Sequence, residues 1–202
     1  MRIIFDIDGV VRDLTGKLCE MHNLEYPETY FQTHDGKTYR DYLDLDLTVF
    51  QKAEPTEYCK IVKNYGNLLN NAGQKLIFWT YQYCDLGKQY TTEWIEKNFN
   101  GINYEIHFKT PEEKIDSLGE FDFLVEDSSE LKNYDNIILI QTAYNKDTKC
   151  KRIVKNEEEL SKYLGLYYVE KGFKYLEFDY ASIHCACISD LFRNYMDNLD
   201  SP

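Results

Sequence analysis

Positive charge is scarce in this 202-residue chain: 23 lysines and arginines stand against 35 aspartates and glutamates, a formal net charge of −12. Such a balance offers no long-range attraction to nucleic acid or to an anionic membrane, so neither is an expected partner. An anionic substrate would have to be held by a local positive field, from a metal ion, a lysine or backbone N–H groups. Long hydrophobic runs are missing as well. No stretch approaches the roughly 18 apolar residues of a membrane-spanning helix. The first apolar run is short and is interrupted by Asp6 and Asp8, unlike the core of a secretory signal. The six cysteines (Cys19, Cys59, Cys84, Cys150, Cys185 and Cys187) form no C-x-x-C pair. They read as reduced thiols, and the expected location is cytoplasmic. Tryptophan is rare, with two residues, whereas tyrosine is abundant, with 18; no function attaches to that excess. Internal repeats and low-complexity tracts are absent.

Hydrophobic residues make up 43% of the chain, enough for one good core plus a modest accessory element. Short apolar runs of β-branched and aromatic residues recur at 3–5, 76–79, 123–125 and 137–140. They have the length and composition of fully buried parallel strands. Helical periodicity lies between them. The segment 56–71 places Tyr58, Ile61, Val62, Tyr65, Leu68 and Leu69 three and four apart and stops at Ala72-Gly73. The segment 86–99 ends at Asn100-Gly101, and a short helix over 157–164 ends at Gly165. Strands alternating with helices predict an α/β fold, three layers around a parallel central sheet with right-handed crossovers. Residues 14–55 break the alternation. They are polar, contain a His34-Asp35-Gly36 turn, and include a run from Asp41 to Leu47 that alternates like a strand but also suits a helix start. An insertion of this length inside a compact domain is usually functional. The expected organisation is a core of residues 1–13 and 56–165, an insertion at 14–55, and an extension at 166–202 with a helical stripe formed by Ile183, Cys187, Ile188, Leu191, Tyr195 and Leu199.

Ligand sites in open α/β sheets lie outside the carboxyl ends of the strands. The first run delivers Asp6, Asp8 and Gly9 there; "LIFWTYQ" delivers Thr80 and Tyr81; "FDFLVEDSS" delivers Glu126 and Asp127; and Lys114 precedes the last of these runs. Hard oxygen donors of this kind suit Mg²⁺, which would neutralise the clustered carboxylates. One aspartate could then attack a metal-bridged phosphoryl group, with Thr80, a nearby backbone N–H and Lys114 on the other phosphoryl oxygens. Asp8 could protonate a leaving alcohol and then activate water. Gly9 would let the chain turn away without filling the pocket. Taken singly, each feature has a plainer reading: a solvent turn for Asp-x-Asp-Gly, a helix cap for Glu126-Asp127-Ser128, a surface lysine for Lys114, with Lys109 as a competitor. Their joint order along the chain favours the chemical reading.

These motifs resemble those of the haloacid-dehalogenase-like (HAD) phosphohydrolases. "FDIDGVV" is similar to the first motif, Thr80 to the second, Lys114 to the third and Glu126-Asp127 to the acidic fourth. The resemblance covers about residues 1–150, the insertion only loosely. It implies a Rossmann-like core with a small, mainly helical C1 cap at 14–55. It implies Asp6 as the nucleophile that becomes an aspartyl-phosphate and Asp8 as the general acid/base. Metal ligands would be the Asp6 side chain, the Asp8 backbone carbonyl and Asp127, with Glu126 beside them; Thr80, Tyr81, Gly9 and Lys114 would hold the phosphate. The insertion directly after the first motif, the short spacing from Lys114 to Asp127 and the Tyr-Asn pair in "ILIQTAYNKDT" resemble the 5′(3′)-deoxyribonucleotidase branch. That branch implies a nucleoside monophosphate as the small phosphomonoester. The acidic motif is Glu-Asp rather than the Asp-Asp of animal members, and the extension beyond residue 164 has no counterpart.

Specificity in such an enzyme would come from what closes over the leaving group. Tyr26, Tyr30, Phe31, Tyr39, Tyr42 and Phe50 of the insertion either stack on a base or form the insertion's own core. Arg12 either reaches a phosphate or ribose, or pairs with a nearby carboxylate such as Asp13. The His184-Cys185-Ala186-Cys187 run has soft metal ligands close together, but Cys187 falls on the apolar stripe and packing is the expected role. The extension either packs on the core or makes a homodimer. Alternatives to a nucleotidase are a phosphatase for another small metabolite, a polynucleotide end phosphatase, disfavoured by the acidic charge, and a non-catalytic phosphate-binding domain.

Overall fold

The computed structural model describes residues 2–29, 32–119 and 122–165. The expected extension, with its helical stripe and the His184–Cys187 run, lies outside the described residues, as do Tyr30 and Phe31. In chain order the strands are β1 (Arg2–Phe5), β2 (Thr33–His34), β3 (Lys37–Thr38), β4 (Leu76–Thr80), β5 (Tyr104–Phe108), β6 (Asp122–Glu126), β7 (Ile137–Ile140) and β8 (Ile153–Val154). The helices are α1 (Leu14–His22), α2 (Tyr39–Leu43), α3 (Val49–Lys52), α4 (Cys59–Asn71), α5 (Asp85–Asn98), α6 (Pro111–Asp116) and α7 (Glu157–Tyr163). No helix among the described residues is long and apolar enough to cross a membrane.

Six strands form one sheet in the order β5-β4-β1-β6-β7-β8, and every pairing in it is parallel. β1 sits inside, so both of its faces are covered. Ile3 and Phe5 join Val62, Phe78, Trp94 and Ile138 on one side, while Ile4 joins Trp79, Leu124 and Ile137 on the other. That is the period-two alternation of a strand buried on both faces, and it explains why Ile3–Phe5 carries no polar residue between Arg2 and Asp6. The α/β class expected from the sequence is the one observed, with two strands added. β5, "YEIHF", is not among the expected strands because, among the described residues, it pairs with β4 alone and is half-buried at best; Glu105 instead meets Lys75 Nζ at 2.7 Å. β8 has only two residues, too few for a periodic signal.

Helix boundaries follow local chemistry. α4 begins at Cys59, three residues after the expected start, because Thr56 is held in a loop by its N–H bond to the Val11 carbonyl at 3.0 Å. It ends where expected, with Gly73 at φ +68, a left-handed conformation that glycine adopts without strain. Asn156 caps α7 by accepting from the Glu159 N–H at 3.0 Å.

Residues 14–55 contain α1, the β2–β3 hairpin, α2 and α3. The ambiguous run after Asp41 resolves as helix at its start: Thr38 and Asp41 form a capping box at the head of α2. Leu18, Tyr42, Val49 and Phe50 form a separate small core, with Tyr39 against it. The two chain crossings into this segment run side by side. Asp13 N–H donates to the Glu54 carbonyl at 2.8 Å, and Trp94 Nε1 of α5 donates to the Ala53 carbonyl at 2.7 Å.

Candidate active site

The register of the sheet decides which strand ends meet. Phe5 lies opposite both Phe78 and Val125, so Asp6 follows at the level of Trp79 and Glu126, and Thr80 leaves β4 at the same edge. Asp6 N–H continues the ladder to the Val125 carbonyl at 2.9 Å. The carboxylates of Asp6, Glu126 and Asp127 converge so that one oxygen of each lies within 4.8 Å of the others. All three residues are buried, as is Lys114, only 3% exposed.

Lys114 is carried by α6, whose head is fixed by the Thr110–Glu113 capping box with Pro111 in its first turn. Its ammonium lies 2.7 Å from Glu126 Oε2 and 3.2 Å from Asp6 Oδ1. Burial alone would pull this lysine down, but the facing carboxylates outweigh it and hold the ammonium above its usual range. Lys109, the sequence competitor, instead donates to Ser117 Oγ at 2.8 Å and lies over the Trp79 ring. Burial, and then the charge of Glu126, push Asp6 well above the carboxylate range. Glu126 is raised chiefly by burial. Burial, followed by the charge of Asp6, pushes Asp127 up to about 6.

Three buried carboxylates against one ammonium leave uncompensated negative charge. Asp6 Oδ1 is buried without an aligned hydrogen bond; its contact with Lys114 is ionic only. A hard divalent cation would fit this donor set, and Asp6 and Asp127 have carboxylate oxygens that could hold it. Glu126 belongs to the cluster but has both oxygens engaged: Oε2 by Lys114, and Oε1 by the N–H groups of Asp127 and Ser128 at 3.1 and 3.2 Å. Its geometry anchors the lysine and shapes the acidic loop. Gly9 has φ +75, and a Cβ there would stand 2.0 Å from Asp127 Oδ2. Only glycine lets this backbone lie against that carboxylate.

These shifts set a pH dependence for the metal-free protein. Between about pH 4 and 6 the folded chain keeps a proton on Asp127 that the unfolded chain has lost, so stability falls as pH rises through about 6. The contribution is on the order of 3 kcal/mol, and Asp6 and Glu126 are shifted in the same direction. Melting curves in EDTA should show a midpoint that declines from about pH 4 to 7, with a shallower decline in Asp127→Asn. An equal decline in both proteins would show that Asp127 is not its source.

Asp8 is held differently. Its Oδ1 accepts from Arg12 Nε at 2.7 Å and its Oδ2 from Gln82 Nε2 at 2.9 Å. Arg12 requires a correction to the expectation of phosphate or ribose contact. It is fully buried, and its other nitrogens donate to the Phe50 carbonyl at 2.9 Å and Thr91 Oγ1 at 3.0 Å. Its guanidinium also faces the Phe50 and Trp94 rings. A planar cation with several donors suits this crowded junction, and Asp8 rather than Asp13 is its carboxylate partner. Thr80 is buried, its carbonyl accepting from Lys109 N–H at 2.8 Å, whereas Tyr81 is 43% exposed.

Three contacts lie outside the residues expected at the site: Gln82 on Asp8, and Tyr144 on Asp127 and Asn145 on the Asp127 carbonyl, a Tyr-Asn pair that the sequence offered only as a branch resemblance. The last two follow β7, whose carboxyl end the same strand-end rule would have searched. A cleft of about 450 Å³ opens beside Gly9, lined by Asp13, Tyr26, Pro55, Thr142 and Ala143 among others. Tyr42 and Phe50 are buried in the insertion's own core, so base stacking does not fall to them; Tyr26 is 41% exposed.

No protein-family model matches the chain, and a search of curated proteins finds no match. Solved structures do share its shape. A HAD family hydrolase from Deinococcus radiodurans R1, with bound phosphate and sodium, aligns with a TM-score of 0.52 at 14% identity, over 82% of this chain and 96% of that one. A candidate phosphoglycolate phosphatase from Lactobacillus delbrueckii subsp. bulgaricus gives 0.49 at 13% identity, over 81% and 97%. A candidate beta-phosphoglucomutase from Thermotoga maritima gives 0.45 at 15% identity, over 86% and 100%. The chain has the HAD fold.

Proposed function

We propose that this protein is a Mg²⁺-dependent phosphomonoester hydrolase working through an aspartyl-phosphate on Asp6, with a nucleoside 5′-monophosphate, deoxy or ribo, as its substrate. The observation that carries the reading is the buried Asp6–Glu126–Asp127 cluster bridged by Lys114 at the carboxyl edge of the sheet. The nucleotide assignment draws on the motif resemblance and on an insertion entering directly after Asp8.

When bound, Mg²⁺ would neutralise the carboxylates and draw charge from the phosphoryl oxygens. Asp6 and Asp127 would hold it, together with the Asp8 carbonyl. A carboxylate oxygen of Asp6 attacks phosphorus, the ester P–O bond breaks, and the leaving alkoxide takes a proton from Asp8. Asp8 then removes a proton from water, which attacks the phosphorus of the aspartyl-phosphate and releases phosphate and free Asp6. Lys114, Thr80 at the end of β4 and Tyr81 just after it would face the phosphoryl oxygens. Lys114 also offsets the charge on Asp6, keeping the nucleophile from repelling its anionic substrate.

The direct test is phosphate release from a panel of nucleoside 5′- and 3′-monophosphates, sugar phosphates and 5′-phosphorylated oligonucleotides, with Mg²⁺ and with EDTA. Turnover of nucleoside monophosphates that EDTA stops is the expected result. Preference for a sugar phosphate or an oligonucleotide would change the substrate. Inactivity on the whole panel would leave the fold without this function.

A further inference from the structure

The candidate cation ligand Asp127 is gripped from the turn that follows β7, by residues outside the four motifs. The Tyr144 hydroxyl donates to Asp127 Oδ2. The neighbouring Asn145, only 2% exposed, donates from Nδ2 to the Asp127 carbonyl and to the Ile140 carbonyl, each at 2.8 Å. One short turn after β7 thus fixes both the main chain and the side chain of the acidic residue. Gly9 lies against the same carboxylate oxygen, with no room there for a Cβ. A phenol has a single proton to give, so it orients the carboxylate and leaves acceptor positions for a cation. The Tyr144 ring in turn lies nearly parallel to that of Tyr26, with centroids 6.2 Å apart and planes 11° apart. Tyr26 lies between α1 and β2, in the 14–55 insertion.

We propose that Tyr144 is a positioning residue that holds the Asp127 carboxylate in its cation-binding orientation, and that Tyr26 braces it, so that the insertion is coupled to the cation site. This rests on the reading of Asp127 as a cation ligand. A hydrogen bond from a neighbour fixes the orientation of a ligating carboxylate and is commonly worth a factor of about 10–100 in metal affinity. The stacked Tyr26 and Tyr144 rings give a movement of the insertion a side-chain route to Asp127.

Calorimetric titration of the full chain with Mn²⁺ alone, without substrate, tests the assignment. Tyr144→Phe keeps the ring and removes the hydroxyl. It should weaken Mn²⁺ binding about 10-fold or more. In an Asp127→Asn background the same change should have no further effect, because the coupled partner is gone. Tyr26→Ala, at an exposed position, should weaken binding measurably, whereas Tyr26→Phe should not. Affinity within about twofold of the parent for Tyr144→Phe, or an equal loss in both backgrounds, overturns the positioning role. An unchanged Tyr26→Ala overturns the brace. A parent protein that binds no Mn²⁺ removes this inference together with the metal-dependent reading. Parent binding with an indifferent Tyr144→Phe removes the inference alone.

Discussion

Asp6→Asn should abolish phosphate release, lowering turnover by about 10⁴-fold or more, while the protein stays folded. The size of the effect follows from the role. A nucleophile that forms the covalent intermediate has no substitute in the cluster, since Glu126 is tied to Lys114 and the loop N–H groups, and Asp8 to Arg12 and Gln82. An amide oxygen is a poor nucleophile and a weaker cation ligand. The fold should survive because asparagine has nearly the shape of aspartate and the lost group is a buried, strained charge. Burial and the charge of Glu126 already disfavour the ionised form of Asp6. At neutral pH in EDTA the variant should therefore melt at or above the parent temperature. Phosphate assays and melting curves on the same preparation check both halves. A variant keeping more than about a tenth of the parent turnover would remove Asp6 from the nucleophile's role.

Lys114→Met should produce the largest loss of stability among these changes, about 3–5 kcal/mol in the metal-free protein. Methionine fills similar volume and packs well, so the loss is electrostatic. Lys114 is the cation facing both Asp6 and Glu126, and all three are buried. Taking it away leaves like charges facing each other in a low-dielectric site, and protonation of the cluster is the only relief without a metal. The deficit should shrink at low pH, where the acids are neutral, and shrink again when Mg²⁺ is added. Urea unfolding at about pH 5 and 8, with EDTA or Mg²⁺, measures each arm. A deficit equal under all four conditions would show that packing, and not charge, is what the lysine supplies.

Much of the site was legible because its signals are local. An apolar run that stops at Asp-x-Asp-Gly marks a strand end, and the strand-end rule then carried Thr80, Glu126 and Asp127 to the same edge. Lys114 is preferred to Lys109 through the resemblance to the third motif, and the structure turns Lys109 to Ser117. Arg12 read ambiguously because a charged residue after a motif looks the same in sequence whether it faces solvent or is buried. Only the return of the chain at residues 50–55 and the approach of α5 supply the Phe50 carbonyl and Thr91 hydroxyl that enclose it. β5 went unseen for a related reason: a half-buried edge strand has no continuous apolar run to betray it.

The sequence by itself determined the parallel α/β class, the buried runs of β1, β4, β6 and β7, and the types of acidic, hydroxyl and basic groups at their ends. Those follow from residue periodicity and from the penalty on leaving apolar surface in water, both of which act over a few neighbouring residues. The tertiary structure alone decided the partners: Lys114 between Asp6 and Glu126, Arg12 and Gln82 on Asp8, Tyr144 and Tyr26 behind Asp127. The direction and neighbours of a buried polar side chain are set by which distant segment arrives to satisfy it, and periodicity carries no record of that arrival.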